Sequence, residues 1–283
     1  MSSAIAFAIF ALAFITLAIF YLFFYPDWRR QRTLGQPFPE RWRTLLHSQV
    51  PLYSALPAEL RHQLEQHVQL FLAEKDFYGC DGLELDDRIR LTIAGHACLL
   101  ILARSWSEYD EIRSVLVYPA LYRVRGHEND GLLVHLSDEI RAGEASSLGQ
   151  VVLAWSECEQ AVNSPDGPHN VILHEFAHQL DYLDGLADGA PPLDRAQASH
   201  WQQTMSRAYE HLQHSLHRQR HSWLDPYGAT APAEFFAVLT EAFFQQPQHL
   251  YREQPDVYEA LKAFYRLDPA AYPRAARTAC SFL

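Results

Sequence analysis

Cysteine is scarce in this chain and never closely paired. Cys80, Cys98, Cys158 and Cys280 lie far apart, and no CxxC occurs. That spacing excludes a disulfide framework and a cysteine zinc knuckle, and it fits isolated thiols in a reducing compartment. Positive charge is also short: 23 Lys and Arg stand against 34 Asp and Glu, a formal charge of −11. A nucleic-acid footprint needs a basic face, so this balance argues against one. No internal repeat and no long low-complexity segment is visible. The 48 % hydrophobic and 20 % charged residues are ordinary for a globular chain, and 283 residues suffice for one sizeable core.

Charge is absent altogether from Ala4 to Tyr25, 22 residues reading AIAFAIFALAFITLAIFYLFFY. A helix of that length spans a hydrocarbon layer of about 30 Å. No Lys or Arg precedes the run and no small-residue cleavage site follows it, so it does not read as a secretory signal. Arg29, Arg30 and Arg32 follow it, with Tyr21, Tyr25 and Trp28 as interface anchors. By the positive-inside rule these features predict a single-span anchor in the cytoplasmic membrane, with the following domain in the cytoplasm. The expected organisation is an anchor over 4–25, a linker over 26–37 and a globular domain over 38–283.

Within that domain, residues 38–48 and 57–75 read as helices. Leu60, Leu64, Val68 and Leu72 form the amphipathic stripe of the second. Another helix is expected over 86–104, entered from Asp86–Asp87. The short β-branched runs SVLVYPALYRV, LLVHLS and GQVVLAWSE read as strands. A helix over GPHNVILHEFAHQLDYLDG follows, entered at Asp166 or Gly167 with Pro168 in its first turn and stopped at Gly185. Then come a Pro/Gly/Asp-rich loop over 185–193, a polar helix near 196–218 and a final helix near 232–246. This order predicts an α+β fold, a small mixed sheet packed on helices.

The chemistry sits in HEFAH. His174 and His178 are four apart, so their imidazoles lie one turn apart on the same helix face and can reach one Zn²⁺. Glu175 points beside such a metal, where it can act on a water as general base. A catalytic zinc needs a third protein ligand and an open position. Asp184 is a local candidate, but the compact turn that would return it wants a glycine three residues after the second histidine, and Asp181 stands there. The downstream EFFAVLTEAFF offers Glu234 and Glu241, seven apart on one face, and the loop before it offers Tyr227. Asp181 and Glu241 are also candidates for orienting a ligand imidazole. His200, His211, His214, His217 and His221 lie on the polar helix region and are expected to face solvent.

HEFAHQLDYLDG, followed some sixty residues later by PAEFFAVLTEAFF, resembles the Mlc titration factor A family over roughly residues 40–270. These are bacterial zinc metallopeptidases also described as anti-repressors of the glucose regulator Mlc. Their fold is similar to the catalytic domain of anthrax lethal factor, a zincin-like gluzincin. The resemblance implies His174, His178 and Glu234 as ligands of one Zn²⁺, Glu175 as general base and Tyr227 as an assisting residue seven positions before Glu234. It implies hydrolysis of a peptide or protein substrate, and a transcriptional repressor of the Mlc type as a possible partner. A non-catalytic, membrane-tethered zinc protein that sequesters such a repressor is the alternative reading. The β-strand GQVVLAWSE can in principle pair with an extended substrate.

Overall fold

The computed structural model describes residues 2–120, 149–164 and 167–272, in two compact units, Met1–Pro39 and Glu40–Leu283. In the first, α1 (Ser2–Ile19) runs into a π-helical turn (Phe20–Phe24) and then α2 (Tyr25–Leu34). The uninterrupted span expected over 4–25 is therefore divided. Pro26, in the first turn of α2, has no N–H to give to the carbonyl four residues earlier, which favours a wider turn before it. Phe7, Phe10, Phe14 and Leu17 are exposed. Among the described residues no helix is long and apolar enough to cross a membrane. The segment read as a linker is mostly helical, as α2.

The second unit begins with α3 (Glu40–Gln49), α4 (Pro51–Ala55) and α5 (Ala58–Glu74). β1 (Asp76–Gly79) follows, then α6 (Asp87–Leu100), whose first turn is capped by the Asp86 carboxylate accepting from Ile89 N–H at 2.8 Å. β2 (Ser114–Tyr118) and β3 (Gln150–Ala154) complete a sheet of order β1-β2-β3. Both ladders are parallel, with Asp76 opposite Ser114 and Ser114 opposite Gln150. The described sheet is thus parallel, not mixed; α6 supplies the crossover from β1 to β2, and the connection from β2 to β3 runs mostly through residues outside those described. β1 was not foreseen, since its DFYG has no alternating pattern. The LLVHLS run expected as a strand lies outside the described residues.

α7 (Trp155–Asn163) leaves β3 directly, so the AWSE end of the expected strand is helix. Next come α8 (Val171–Asp181), α9 (Arg195–His217) and α10 (Pro232–Gln245). α11 (Pro247–Glu253) and α12 (Pro255–Tyr265) close the described fold, each opened by a proline, so the helix near 232–246 is not the last.

α8 lies between the sheet and α10, packing on α6, β3 and α10. Phe176 pins it: the ring is fully buried against Phe71 of α5 and Tyr109, with centroids 5.7 and 5.6 Å away. Burying such a side chain contributes roughly 2–3 kcal/mol. α10 is buried at every position from Phe235 to Gln245, as expected of a helix apolar on all sides. Cys98 and Cys158 are buried, and burial pushes both thiols up; Cys280 lies outside the described residues.

Candidate metal centre

α8 starts later than its prolines suggest. Asn170 is the N-cap, its side-chain oxygen accepting from Leu173 N–H at 3.2 Å, while Gly167 and Pro168 precede the helix in a bend. Asp166 is outside the described residues. At the far end α8 stops at Asp181, passes through a 3-10 turn (Tyr182–Asp184) and reverses at Gly185, whose φ of +85° suits glycine.

His174 and His178 face α10 from successive turns, ring centroids 4.8 Å apart. Glu234 meets them from the first turn of α10, where a helix N-terminus favours a carboxylate. Its Oε2 lies 2.9 Å from His174 Nε2 and 3.4 Å from His178 Nε2. One ligand atom from each of His174, His178 and Glu234 falls within 4.8 Å of the others. His178 Nε2 is buried yet makes no hydrogen bond. A buried nitrogen whose nearest acceptor lies 3.4 Å away is poorly satisfied, and here it faces the His174 imidazole and the Glu234 carboxylate. Two nitrogens and one oxygen, converging and shielded, fit the donor set of a catalytic zinc site.

Glu241, two turns along α10, holds the arrangement from behind. Its Oε1 accepts from His174 Nδ1 at 2.7 Å, and its Oε2 accepts from the Asn170 N–H. With Nδ1 donating to Glu241, the lone pair of Nε2 is free for a metal. Asp181, the other candidate for such a role, does not hold an imidazole. It is fully buried and accepts from Gly189 N–H at 2.9 Å, because the loop after Gly185 folds back over it. Asp184 accepts from Leu186 N–H in its own turn. His200, His211, His214, His217 and His221 are exposed.

These charges bias one another. Burial lowers the His174 pKa, but its hydrogen bonds to Glu234 and Glu241 outweigh this and hold the imidazole well above its ordinary range. Burial raises Glu234, and the two histidines overcome it, drawing the carboxyl down to about 2. Burial pushes Glu175 upward, against the pull of His174 and His178.

A cleft of about 540 Å³ opens beside the cluster, lined by His174, Glu175, Glu241 and Tyr227, by Val152 and Ala154 of β3, and by α7. β3 is an edge of the described sheet. Tyr227 sits in a 3-10 turn (Pro226–Ala229), its ring 6.1 Å from that of His174. Asp225 fixes that turn by accepting from Tyr227 N–H at 2.8 Å, and its other oxygen lies 3.1 Å from His169 Nδ1. Gly228 lets the turn approach α10, since a Cβ there would meet Val238 at 3.3 Å. Asp225 and His169 at the cleft mouth were missed from sequence. An Asp before Pro226 is a capping signal, but nothing in spacing links it to a histidine fifty-six residues earlier.

The model of the family described as glucose-regulated metallo-peptidase M90 matches residues 25–266. The chain belongs to that family. It is 39 % identical over 257 residues to an uncharacterized protein of Synechocystis sp., covering 89 % of this chain and 94 % of that one. It is 32 % identical over 236 residues to Mlc titration factor A of Pectobacterium atrosepticum, covering 82 % and 88 % of the two chains. To Mlc titration factor A of Edwardsiella ictaluri it is 31 % identical over 249 residues, covering 86 % and 92 %. As an M90 chain it is a member of a metallo-peptidase family, and the His–His–Glu cluster is where its described residues could hold a metal.

Proposed function

We propose that this chain is a zinc-dependent peptidase whose ion is held by His174, His178 and Glu234. The observation that carries the reading is the convergence of those three ligand atoms, with His178 Nε2 buried and met only by a long 3.4 Å approach of Glu234 Oε2. Zn²⁺ in this position would polarise a scissile carbonyl and make water acidic enough to attack near neutral pH. Glu175, on the cleft side of α8, takes the proton of the attacking water and delivers it to the leaving amine. Its pKa, raised by burial, suits a group that must both accept and return a proton. Tyr227 borders the same cleft and donates its hydroxyl to the oxyanion that develops on the substrate. Glu241 keeps His174 in the tautomer that ligates. The extended substrate lies along β3, whose Val152 and Ala154 border the cleft.

Glu175→Gln tests this directly. Zinc content should stay at one per chain while peptide cleavage falls by about 10²–10⁴-fold. Equal cleavage by both proteins would remove Glu175 from the chemistry.

A second reading is favoured by the relatives named Mlc titration factor A. In it the domain binds a transcriptional repressor of the Mlc type, with or without hydrolysis. Repressor capture that survives in Glu175→Gln would separate this role from catalysis. We also propose that residues 4–25 tether the domain to the cytoplasmic membrane, the domain lying in the cytoplasm. The support is the uncharged run, the arginines behind it and the exposed Phe7, Phe10, Phe14 and Leu17.

A further inference from the structure

Gly189 is engaged on three sides at once. Its N–H donates to Asp181 Oδ2 at 2.9 Å, one turn beyond His178 on α8. Its carbonyl accepts from the indole Nε1 of Trp201 on α9 at 3.2 Å. Its φ is +76°, and a Cβ there would fall 2.3 Å from the carbonyl oxygen of Pro232, the first residue of α10. Trp201, nearly buried, packs its ring on Phe236 of α10 at 5.8 Å and on Phe264 of α12 at 5.5 Å. One residue is therefore bonded to the end of the helix that carries the two histidines and, through Trp201, joined to the ring of Phe236 on the helix that carries Glu234, with its own backbone running close against Pro232. Pro232 and Phe236 stand two residues on either side of that carboxylate.

Asp181 is fully buried, and its Oδ1 has no hydrogen-bond partner. A buried carboxylate with one oxygen unsatisfied is destabilising in itself. A cap or surface role would not need it, and an apolar residue would pack the core more cheaply. What Asp181 supplies is an acceptor aimed at Gly189.

We propose that Asp181 and Gly189 form a clasp that positions Glu234 relative to His174 and His178, so that the three ligands meet at one point before an ion arrives. Asp181 is thus a positioning residue. The clasp sets metal affinity and coordination geometry rather than touching substrate. The proposal rests on the zinc-site reading above. Without the clasp, the first turn of α10 loses this link to the end of α8 while Glu241 still holds the helix two turns on, and the Glu234 carboxylate is the ligand whose position loosens.

The test uses the full chain. Zinc affinity is measured by competition with a chromophoric chelator for wild type, Asp181→Ala, Asp181→Asn, Gly189→Ala and the remote core variant Leu64→Ala. Thermal unfolding of the zinc-free proteins and the visible spectrum of the Co²⁺-substituted proteins are recorded beside it. Asp181→Ala and Gly189→Ala should bind zinc about 10–100-fold more weakly, with a Co²⁺ band lowered in intensity by loss of four-coordination. Asp181→Asn keeps an acceptor for Gly189 and should stay within a few-fold of wild type. Leu64→Ala, at a fully buried site on α5, should lower the unfolding temperature with affinity and spectrum unchanged. The clasp is overturned if Asp181→Ala binds zinc as wild type does, or if its affinity and spectrum change no more than those of Leu64→Ala. Should Asp181→Ala fail to fold, Asp181→Asn with weakened affinity and an altered spectrum overturns it too, since the acceptor is still present. Wild type that binds no zinc would instead sink the metal-site reading itself.

Discussion

At His174 two carboxylates hold one imidazole. Glu241 takes the Nδ1 side and Glu234 the Nε2 side, and both contacts favour a protonated ring. Its raised pKa follows from those two hydrogen bonds overcoming burial. In the proposed site, zinc binding at Nε2 would displace a proton held there. Calorimetric titration of the metal-free protein at pH 7, in buffers of different ionisation enthalpy, should report release of about one proton per zinc. Glu241→Gln should reduce this release, and an unchanged value would show that the proton lies elsewhere. The same residue separates two glutamates that spacing alone left equivalent. Glu234 and Glu241 share a face of α10 two turns apart, but only Glu234 lies near both histidines. Glu234→Ala should therefore lower zinc affinity sharply, and Glu241→Ala by about 10–100-fold through loss of imidazole orientation. The reverse order would exchange their roles.

At the scale of elements, α8 is held by its packing as much as by its cap. Phe176 projects from the side opposite the cleft into the ring cluster of Phe71 and Tyr109. Phe176→Ala should cost about 3–5 kcal/mol in urea unfolding, the range for a fully buried aromatic. The loop that follows α8 brings a pH dependence. Burial raises Asp181 from 3.8 to about 6, against the stabilising bond from Gly189. The folded state therefore favours the protonated acid. Its contribution is most favourable below the unfolded value of 3.8 and is lost as pH rises through about 6. Asn mimics the protonated form, so Asp181→Asn should stabilise the metal-free protein by roughly 1–3 kcal/mol at pH 8 and by far less at pH 4.5. A difference independent of pH would place the ionisation elsewhere. Because Asp181 makes this bond to Gly189 instead of an imidazole, its position on the histidine face was a poor guide to its partner. Helical spacing tells which face a side chain occupies, not which loop folds over it.

For the whole molecule, the apolar N-terminal unit and the M90 domain make separable predictions. The 283-residue chain expressed in a bacterium should sediment with membranes and resist extraction at high pH, while a chain starting at Glu40 should not sediment. Protease added to sealed inside-out vesicles should digest the domain if it lies in the cytoplasm, and leave it intact if it lies on the other side. Much of the domain's helical order was legible beforehand. Apolar stripes and the acidic pair at Asp86–Asp87 mark α5 and α6, and the polar run marks α9. The parallel ladders were not legible, because strand order depends on crossovers that hydropathy does not encode. Nor was the start of α8, where Pro168 suggested a first turn and Asn170 supplies the cap instead.

The chain alone determined the chemistry on offer: two imidazoles and a carboxylate on one short helix, and two more carboxylates on a second. Those follow from the 3.6-residue period, which any local segment carries. The resemblance had pointed to Glu234 as the ligand, but only the tertiary structure decided that it approaches both rings, that Glu241 and not Asp181 stands behind His174, and what the buried Asp181 holds. Each of those depends on the packing of α8 against α10 and on a glycine close enough to reach both, distances set by the core rather than by neighbours in sequence.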